Sequence, residues 1–438
     1  MADSLRHCPI EYNAGATRKV LFPVLPTNSG FANLAAMTET PSVTDALPLD
    51  GIRVIEFCHM VMGPTCGMIL ADLGADVIKV EPLHGDTTRR LVHQGAGFFA
   101  SYNRNKRSIA LDLKSPQGFE VAKRLAVGAD VVVENLRPGA LEAAGLGYQA
   151  LKAENPGLVY CALKGFLAGP YAHRKALDEV VQMMGGLAYM TGPEGRPLRA
   201  GASVIDIMGG MFGVIGIQAA LRERDKTGEG QEVTSALYET TVHSVAQHML
   251  QFAVTGTPAG PMPERPRAWS VYDTFDTADG EKLFVGIVSD TQWKIFCEAF
   301  GRDDLLADAT LATNALRSEA RGRIMPILTE LFGAMTRDEL MQVCDRIGLP
   351  FAPITKPHDL FDDPHLNQSG NLLDVTLPDG RPTRVPGLPL EMGGRRTRIR
   401  RDLPRIGEHG REILAEAGFG EDDISALLDS GAVMDPAD

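Results

Sequence analysis

The chain has 438 residues, which is too long for one ordinary domain and predicts two domains or a large domain that carries a smaller insertion. Hydrophobic residues make up 44% of the sequence and charged residues 23%, which excludes a disordered or fibrous protein. The formal net charge of -13 argues against a nucleic-acid partner, because phosphate backbones bind clustered Lys and Arg side chains.

The distribution of cysteines and apolar residues indicates a cytoplasmic protein. The six cysteines are dispersed and form no CxxC motif, so we expect no zinc site, no disulfide framework and a reducing compartment. No run of 18 apolar residues occurs, and we expect no membrane span. Residues 1–45 have no clear signal-peptide core, so we predict a poorly ordered N-terminal extension and note Met37 as a later start.

Residues 51–165 alternate short β-rich runs with helical patterns, which is typical of an open parallel sheet with covering helices. Ser115 and Pro116 form a helix start signal within this region. Ligands of such a sheet lie beyond the carboxyl ends of its strands. The predicted strands are "RVIEF", "DVIKV", "SIALDL", "DVVVEN" and "GLVYCAL".

The second half of the chain begins with a long apolar helix that follows Asp206 and ends at Gly228. A short strand "QEVTS" and a helix over 235–254 come next, and Pro and Gly then accumulate. Beyond them we predict a hairpin at Asp279-Gly280, helices near 290–300, 318–332 and 336–346, and two C-terminal helices. We therefore place a large domain at 46–240, a linker at 241–265, a small α+β domain at 266–355 and a return segment at 356–438.

The common catalytic motifs are absent from the sequence. It contains no GxxxxGK[ST] phosphate loop, no HExxH and no GxSxG. The ten histidines are dispersed, and no metal-ligand spacing occurs among them. We therefore predict no metal and no permanently bound cofactor.

Asp206 lies between apolar residues, at the start of a predicted helix, and Gly209 and Gly210 follow it. One interpretation is a helix N-cap, because an aspartate at this position accepts bonds from free N–H groups. The other is a nucleophile that is open to a ligand, with the glycines leaving N–H groups for a developing oxyanion. Spacing alone favours the N-cap, and the two interpretations are compatible.

Several separated segments resemble one known family, the class III CoA transferases, which includes formyl-CoA:oxalate and carnitine CoA-transferases. The resemblance extends from about residue 47 to residue 420, and the motifs occur in the family's order. These motifs are "GIRVIEF" with "GPTCGMILADLGADVIKVE", "YNRNKRSIALDLKSPQG", "ADVVVENLRPG", the segment around Asp206, "KTGEGQEVTSALYE" and "IGEHGREIL".

The resemblance implies a Rossmann-like large domain with a parallel sheet, an inserted smaller domain and an interlocked homodimer. It places the family's catalytic aspartate at Asp206, which would form a mixed anhydride and then an aspartyl-CoA thioester. A CoA thioester would be the co-substrate. The implied CoA contacts fall on Val61, Met62, Leu111, Asp112, Leu113, Lys114, Asn135, Leu136, Arg137, Lys175 and Asp178.

Departures from the family pattern bear on the substrate. Val61 stands where formyl-CoA enzymes have glutamine, and Pro82 replaces an arginine, so formyl-CoA and oxalate are not expected. We expect a C4–C5 dicarboxylate such as succinate, malate, mesaconate or citramalate. The candidates to hold its second carboxylate are Arg104, Arg107, Arg199 and Arg267.

Two alternatives remain open. The related α-methylacyl-CoA racemases need a histidine as a second acid/base, and it would fall at or beside Leu177, with His173 nearby. The chain could also be the inactive CoA-binding subunit of a heteromeric transferase. The presence of Asp206 argues against the inactive subunit.

Overall fold

The computed structural model describes residues 46–264 and 268–434. The predicted N-terminal extension lies outside the described residues. The described strands are β1 Arg53–Phe57, β2 Asp76–Glu81, β3 Lys106–Ala110, β4 Val131–Glu134, β5 Val159–Lys164, β6 Glu232–Ala236, β7 Val271–Asp276, β8 Lys282–Ile287, β9 Phe351–Pro353, β10 Leu372–Thr376, β11 Pro382–Pro386, β12 Glu391–Met392 and β13 Arg395–Arg396.

The helices of the same residues include some that pack on the main sheet, some that pack on the antiparallel strands β7–β9 and shorter ones in connections. They are α1 Met62–Asp72, α2 Phe98–Tyr102, α3 Pro116–Val127, α4 Ala140–Ala143, α5 Tyr148–Glu154, α6 Asp178–Met184, α7 Leu187–Thr191, α8 Val204–Thr227, α9 Leu237–Thr255, α10 Asp290–Ala299, α11 Asp303–Leu306, α12 Asn314–Glu319, α13 Arg321–Gly333, α14 Arg337–Ile347, α15 Pro364–Ser369, α16 Gly410–Glu416 and α17 Glu421–Asp429. Single 3-10 turns occur at Thr87–Arg90, His93–Gly95, Ala309–Leu311 and Pro357–Asp362.

The main sheet has six strands in the order β3-β2-β1-β4-β5-β6, and every neighbouring pair is parallel. Strands such as β4 ("VVVE") are buried along their whole length because helices cover both faces of the sheet. This strand order is that of a Rossmann fold, in which the chain changes direction between β1 and β4. The predicted α/β class with a parallel sheet is confirmed, and the crevice between β1 and β4 is the expected ligand site.

Two hydrophobic cores lie on opposite faces of this sheet, because neighbouring strand residues point to opposite sides. On one face Ile55 and its neighbours pack under α3, α5, α16 and α17. On the other face Val54 and its neighbours pack under α1 and α8. The C-terminal helices α16 and α17 therefore pack on the first sheet.

A third core lies within residues 271–353, where the antiparallel strands β7, β8 and β9 pack against α10, α13 and α14. This α+β group falls in the range predicted for the small domain, whose status as an inserted domain stays a prediction. The linker prediction needs correction. Helix α9 continues to Thr255, so the first part of the range 241–265 is helical.

Helix α8 is long and apolar enough, by length and composition, to cross a membrane. Its inner face is buried against α1, β5 and β6, and Val214 and Ile217 belong to the core of the sheet. A helix that packs one face on a sheet needs apolar residues on that face, so this burial explains part of the apolar character of α8.

Candidate active site

The chain order places Asp206 at the carboxyl edge of the main sheet. Helix α8 leads into β6, which pairs in parallel with β5. A β-carbon at Gly213 of α8 would lie 2.8 Å from the side chain of Leu163, near the end of β5, so the first turns of α8 lie beside the carboxyl ends of the strands. Helix α1 follows β1 after a connection of four residues. The first turns of α1 and α8 are therefore neighbours at the edge where ligands of such sheets bind.

The face of α8 that carries Asp206 packs against α1. Residues three, four and seven positions later share this face, and they are Gly209, Gly210 and Gly213. A β-carbon at Gly210 would lie 2.6 Å from the carbonyl oxygen of Met62, so only glycine allows the helices to come this close. The expectation that Gly209 and Gly210 offer N–H groups to an oxyanion is wrong. They are buried in the helix contact.

A second acid, Asp178 of α6, caps the helix that carries Asp206. Its Oδ2 accepts the backbone N–H groups of Ile205 at 3.0 Å and Asp206 at 3.2 Å, and its Oδ1 accepts from Gln182. The N-cap position itself is Ser203, and Asp206 is the third residue of the helix. The N-cap interpretation of Asp206 is therefore wrong, and its carboxylate is not used to begin α8.

The surroundings of Asp206 hold its carboxyl partly protonated at neutral pH. Burial first, and then the negative charges of Asp178 and Glu179, raise the pKa of Asp206 from 3.8 to about 7. The guanidinium of Arg199 acts in the opposite direction. Burial also raises the pKa of Tyr102, and the negative charge of Asp206 raises it further. Asp206 is half-buried, so it remains accessible to a ligand.

Most of the residues expected to contact CoA follow strands β1, β3 and β4, and the parallel order brings these three connections to one edge. Asn135 fixes the first connection, because its side chain bonds the backbone N–H and carbonyl of His59 at 3.0 and 2.8 Å. The placements divide as follows: Val61, Met62 and Leu111 are buried, Asp112, Leu113 and Leu136 are half-buried, and Lys114, Arg137 and Lys175 are exposed.

Arg104 and Arg107 have other partners than a substrate. The guanidinium of Arg104 is buried and donates to Asp72 at 2.6 Å, because α1 brings that carboxylate beneath the strand connection. Arg107 pairs with Asp76 and with acids of α16. Neither guanidinium is free to hold a substrate carboxylate, so these two predictions need correction.

Arg199 lies beside the Asp206 site. It forms an ion pair with Glu179 and lies 3.8 Å from Asp178, and its side chain is partly exposed. Arg267, the fourth candidate, lies outside the described residues. Sequence reasoning missed Glu179, Gln182 and Tyr102, which reach this site from α6 and α2 without a motif of their own.

Comparisons with known proteins find relatives that match most of this chain. The chain is 35% identical to a succinate--glutarate CoA-transferase of Agrobacterium fabrum over 87% of this chain and 98% of the relative. It is 33% identical to a succinyl-CoA--D-citramalate CoA-transferase of Chloroflexus aurantiacus, over 87% and 96% of the two chains. The crystal structure of a CAIB/BAIF family protein from Brucella suis matches with a TM-score of 0.76 and 35% identity, over 85% of this chain and all of that one.

A family model described as CoA-transferase family III matches residues 49–410. The parallel sheet and the named relatives agree with that match. The chain is therefore a CoA transferase and belongs to CoA-transferase family III.

Proposed function

We propose that this enzyme moves CoA between C4–C5 dicarboxylic acids through a covalent intermediate on Asp206. The observation that carries the proposal is the position of Asp206. A half-buried carboxylate lies at the carboxyl edge of the sheet, on the face of α8 that meets the start of α1. The relatives described above add the substrate class, since succinate, glutarate and citramalate are all C4–C5 dicarboxylates.

In the first half of the reaction, the ionised Asp206 attacks the thioester carbonyl of the donor, the C–S bond breaks, and CoA leaves as a thiolate. The thiolate then attacks the aspartyl carbonyl of the mixed anhydride, which gives an aspartyl-CoA thioester and the free donor acid. In the second half, the acceptor carboxylate attacks this thioester and releases the thiolate. The thiolate attacks the acceptor's acyl carbonyl, which forms the new acyl-CoA and regenerates Asp206.

Residues around Asp206 support two requirements of this chemistry. The anhydride must be kept from water, and the half-buried position of Asp206 supports that need. A developing oxyanion needs donors, and the first turn of α1 has no side-chain cap and no acidic residue. We propose that its N–H groups serve the thioester oxygen. These steps need no metal and no resident cofactor, and a CoA thioester is the co-substrate.

We propose that Arg199 holds the second carboxylate of the substrate. Among the candidates within the described residues, Arg199 is the guanidinium that lies near Asp206, and it opposes the rise in the pKa of that acid. Its partner Glu179 is exposed and can be displaced by a substrate carboxylate. Replacing Arg199 with Met should raise the KM for glutarate at least tenfold and leave the KM for butyrate within twofold.

The direct test of the function is a panel with succinyl-CoA as donor. We expect rapid transfer to glutarate, citramalate, mesaconate or malate and slow transfer to acetate, and no transfer by Asp206→Ala. Activity of the purified chain alone would exclude an inactive subunit. Exchange of the α-proton of an acyl-CoA in deuterated water would favour a racemase. A racemase needs a histidine at or beside position 177, where this chain has an exposed leucine, and His173 lies on an exposed connection.

We also propose a homodimer, in the interlocked form that the family resemblance implied. Exposed apolar side chains support it: Met211 and Ile215 are 47% and 58% exposed on one face of α8, and Phe252 of α9 is 53% exposed. Light scattering should give twice the chain mass, and Phe252→Glu with Ile215→Glu should lower it. A cytoplasmic location also stays a proposal, supported by five buried free cysteines among the described residues.

A further inference from the structure

The connection between β1 and α1, residues 58–61, contains a strained backbone. Met60 has a φ of 65°, which is the left-handed region that side chains with a β-carbon rarely adopt. A non-glycine residue stays in this conformation only where its surroundings hold it, and such residues cluster at ligand sites. Other groups of the fold must therefore hold Met60 in this conformation.

Side chains from three other parts of the fold bind the backbone of this connection. Each bond comes from a different segment, so the connection is fixed at three successive residues. The bonds are Lys79 Nζ to the carbonyl of Cys58 at 2.7 Å, Asn135 to both backbone groups of His59, and the N–H of Met60 to Thr88 Oγ1 at 2.9 Å.

Buried charges fix the groups that make two of these bonds. Asp86 accepts the N–H of Thr88 at 2.8 Å, and its other oxygen lies 2.9 Å from Lys79 Nζ. The N–H of Asp86 donates to Glu81 at 2.9 Å. Thr88 is 1% exposed and Lys79 is fully buried. Movement of Thr88 would remove a hydrogen bond from the carboxylate of a buried ion pair, which is unfavourable because the oxygen would lose its partner away from water.

We propose that Thr88, supported by Asp86 and Lys79, is a positioning residue that holds Met60 in its left-handed conformation and so places Val61 and Met62 for CoA beside Asp206. Met62 is the first residue of α1, and a β-carbon at Gly209 would lie 2.6 Å from its methyl group. A change at Met60 is thus transmitted directly to the contact with the helix that carries Asp206. The inference rests on the proposed function, because it assumes that CoA binds at this connection.

The test compares Thr88→Val with Thr88→Ser, since serine keeps the hydroxyl and valine keeps the shape. We expect Thr88→Val to raise the KM for succinyl-CoA about tenfold, the factor that corresponds to the loss of one hydrogen bond, with kcat lowered less than threefold. Thr88→Ser should remain within twofold of the wild type. Hydrogen exchange at residues 58–61 should be faster in Thr88→Val only.

Thr336→Val is the matched control, because Thr336 also provides a hydroxyl, as the N-cap of α14 in the third core. It should lower stability and leave the KM for succinyl-CoA within twofold. An unchanged KM in Thr88→Val, or an equal rise in Thr88→Ser or Thr336→Val, would overturn the proposal. If Thr88→Val does not fold, Thr88→Ala replaces it with the same expected and contrary results.

Failure of the proposed function would look different. A wild-type enzyme without CoA transfer would refute the function, whereas an active wild type with an unaffected Thr88→Val would refute the positioning role alone. Met60→Gly adds an independent check, because glycine adopts a φ of 65° without penalty. The double variant with Thr88→Val should have a lower KM than Thr88→Val by itself, and a higher KM would contradict the role of strain.

Discussion

CoA transfer by this enzyme should depend on pH with an inflection near pH 7, where Asp206 ionises. Burial and the charges of Asp178 and Glu179 raise its pKa from 3.8 to about 7, against the opposing effect of Arg199. Only the ionised carboxylate attacks a thioester, so kcat/KM follows the ionised fraction. That fraction is about nine tenths at pH 8 and about one tenth at pH 6. We therefore expect kcat/KM to fall about tenfold when the pH is lowered from 8 to 6.

Two variants separate this cause from a general loss of structure. Glu179→Gln removes a charge that raises the pKa of Asp206, so the inflection should move to lower pH. Arg199→Gln removes the charge that lowers this pKa, so the inflection should move to higher pH. Both substitutions break the ion pair between Arg199 and Glu179. If loss of this ion pair were the cause, the inflection would move in the same direction in both variants.

The assay is initial-rate transfer from succinyl-CoA to glutarate between pH 5 and pH 9, at constant ionic strength. The apparent pKa values are compared rather than the rates, because Arg199 is also proposed to hold the substrate. His59→Gln is the control, since burial lowers the pKa of this histidine in the connection between β1 and α1 from 6.5, and the inflection should remain. A flat profile between pH 6 and pH 8, or shifts in the same direction, would refute the reasoning.

Further predictions concern stability, measured by denaturant unfolding. Asp206→Asn should increase the unfolding free energy by about 1–3 kcal/mol at pH 8 and leave it unchanged at pH 3.5. The wild-type folded state loses stability as pH rises from 3.8 towards 7, because the aspartate is then charged in the unfolded chain but costly to ionise in the folded one. An equal effect at both pH values would contradict this. Gly210→Ala should destabilise the fold by about 1–3 kcal/mol through the clash with α1, whereas Gly322→Ala, with no atom within 4 Å of the added carbon, should be neutral or stabilising. Lys106→Met, which removes a buried partner of Glu56, should cost about 3–5 kcal/mol, and Lys282→Met at an exposed ion pair at most about 1 kcal/mol. Similar costs for the two lysine variants would show that burial does not decide the result.

The parallel sheet could be predicted because its determinants are local. Runs of Val and Ile such as "VVVE" alternate with helical patterns, and the structure forms strands there. The helix predicted near 336–346 likewise has a local signal, a capping box formed by Thr336 and Glu339 at the start of α14. Boundaries were less accurate: the strand predicted in "SIALDL" lies at Lys106–Ala110, and the helix predicted over 318–332 is divided into α12 and α13.

The site depends on contacts between distant parts of the chain, and these leave no local signal. Asp178 caps α8 although 28 residues separate it from Asp206, so no spacing rule connects them. Arg104 and Arg107 were predicted to bind a substrate carboxylate because the sequence does not show that Asp72 and Asp76 pair with them in the fold. Gly210 was interpreted as open backbone, but small residues serve close helix contacts equally well. The position of Asp206 was found by family resemblance, not by helix chemistry.

The most direct test of the covalent mechanism is mass spectrometry of the enzyme quenched in acid during turnover of succinyl-CoA. Trypsin should release residues 200–222, a peptide in which Asp206 is the only acidic side chain. We expect this peptide to carry CoA as a thioester in the wild type and to lack it in Asp206→Asn. Active enzyme without an adduct on this peptide, or with CoA on another residue, would contradict the central role of Asp206.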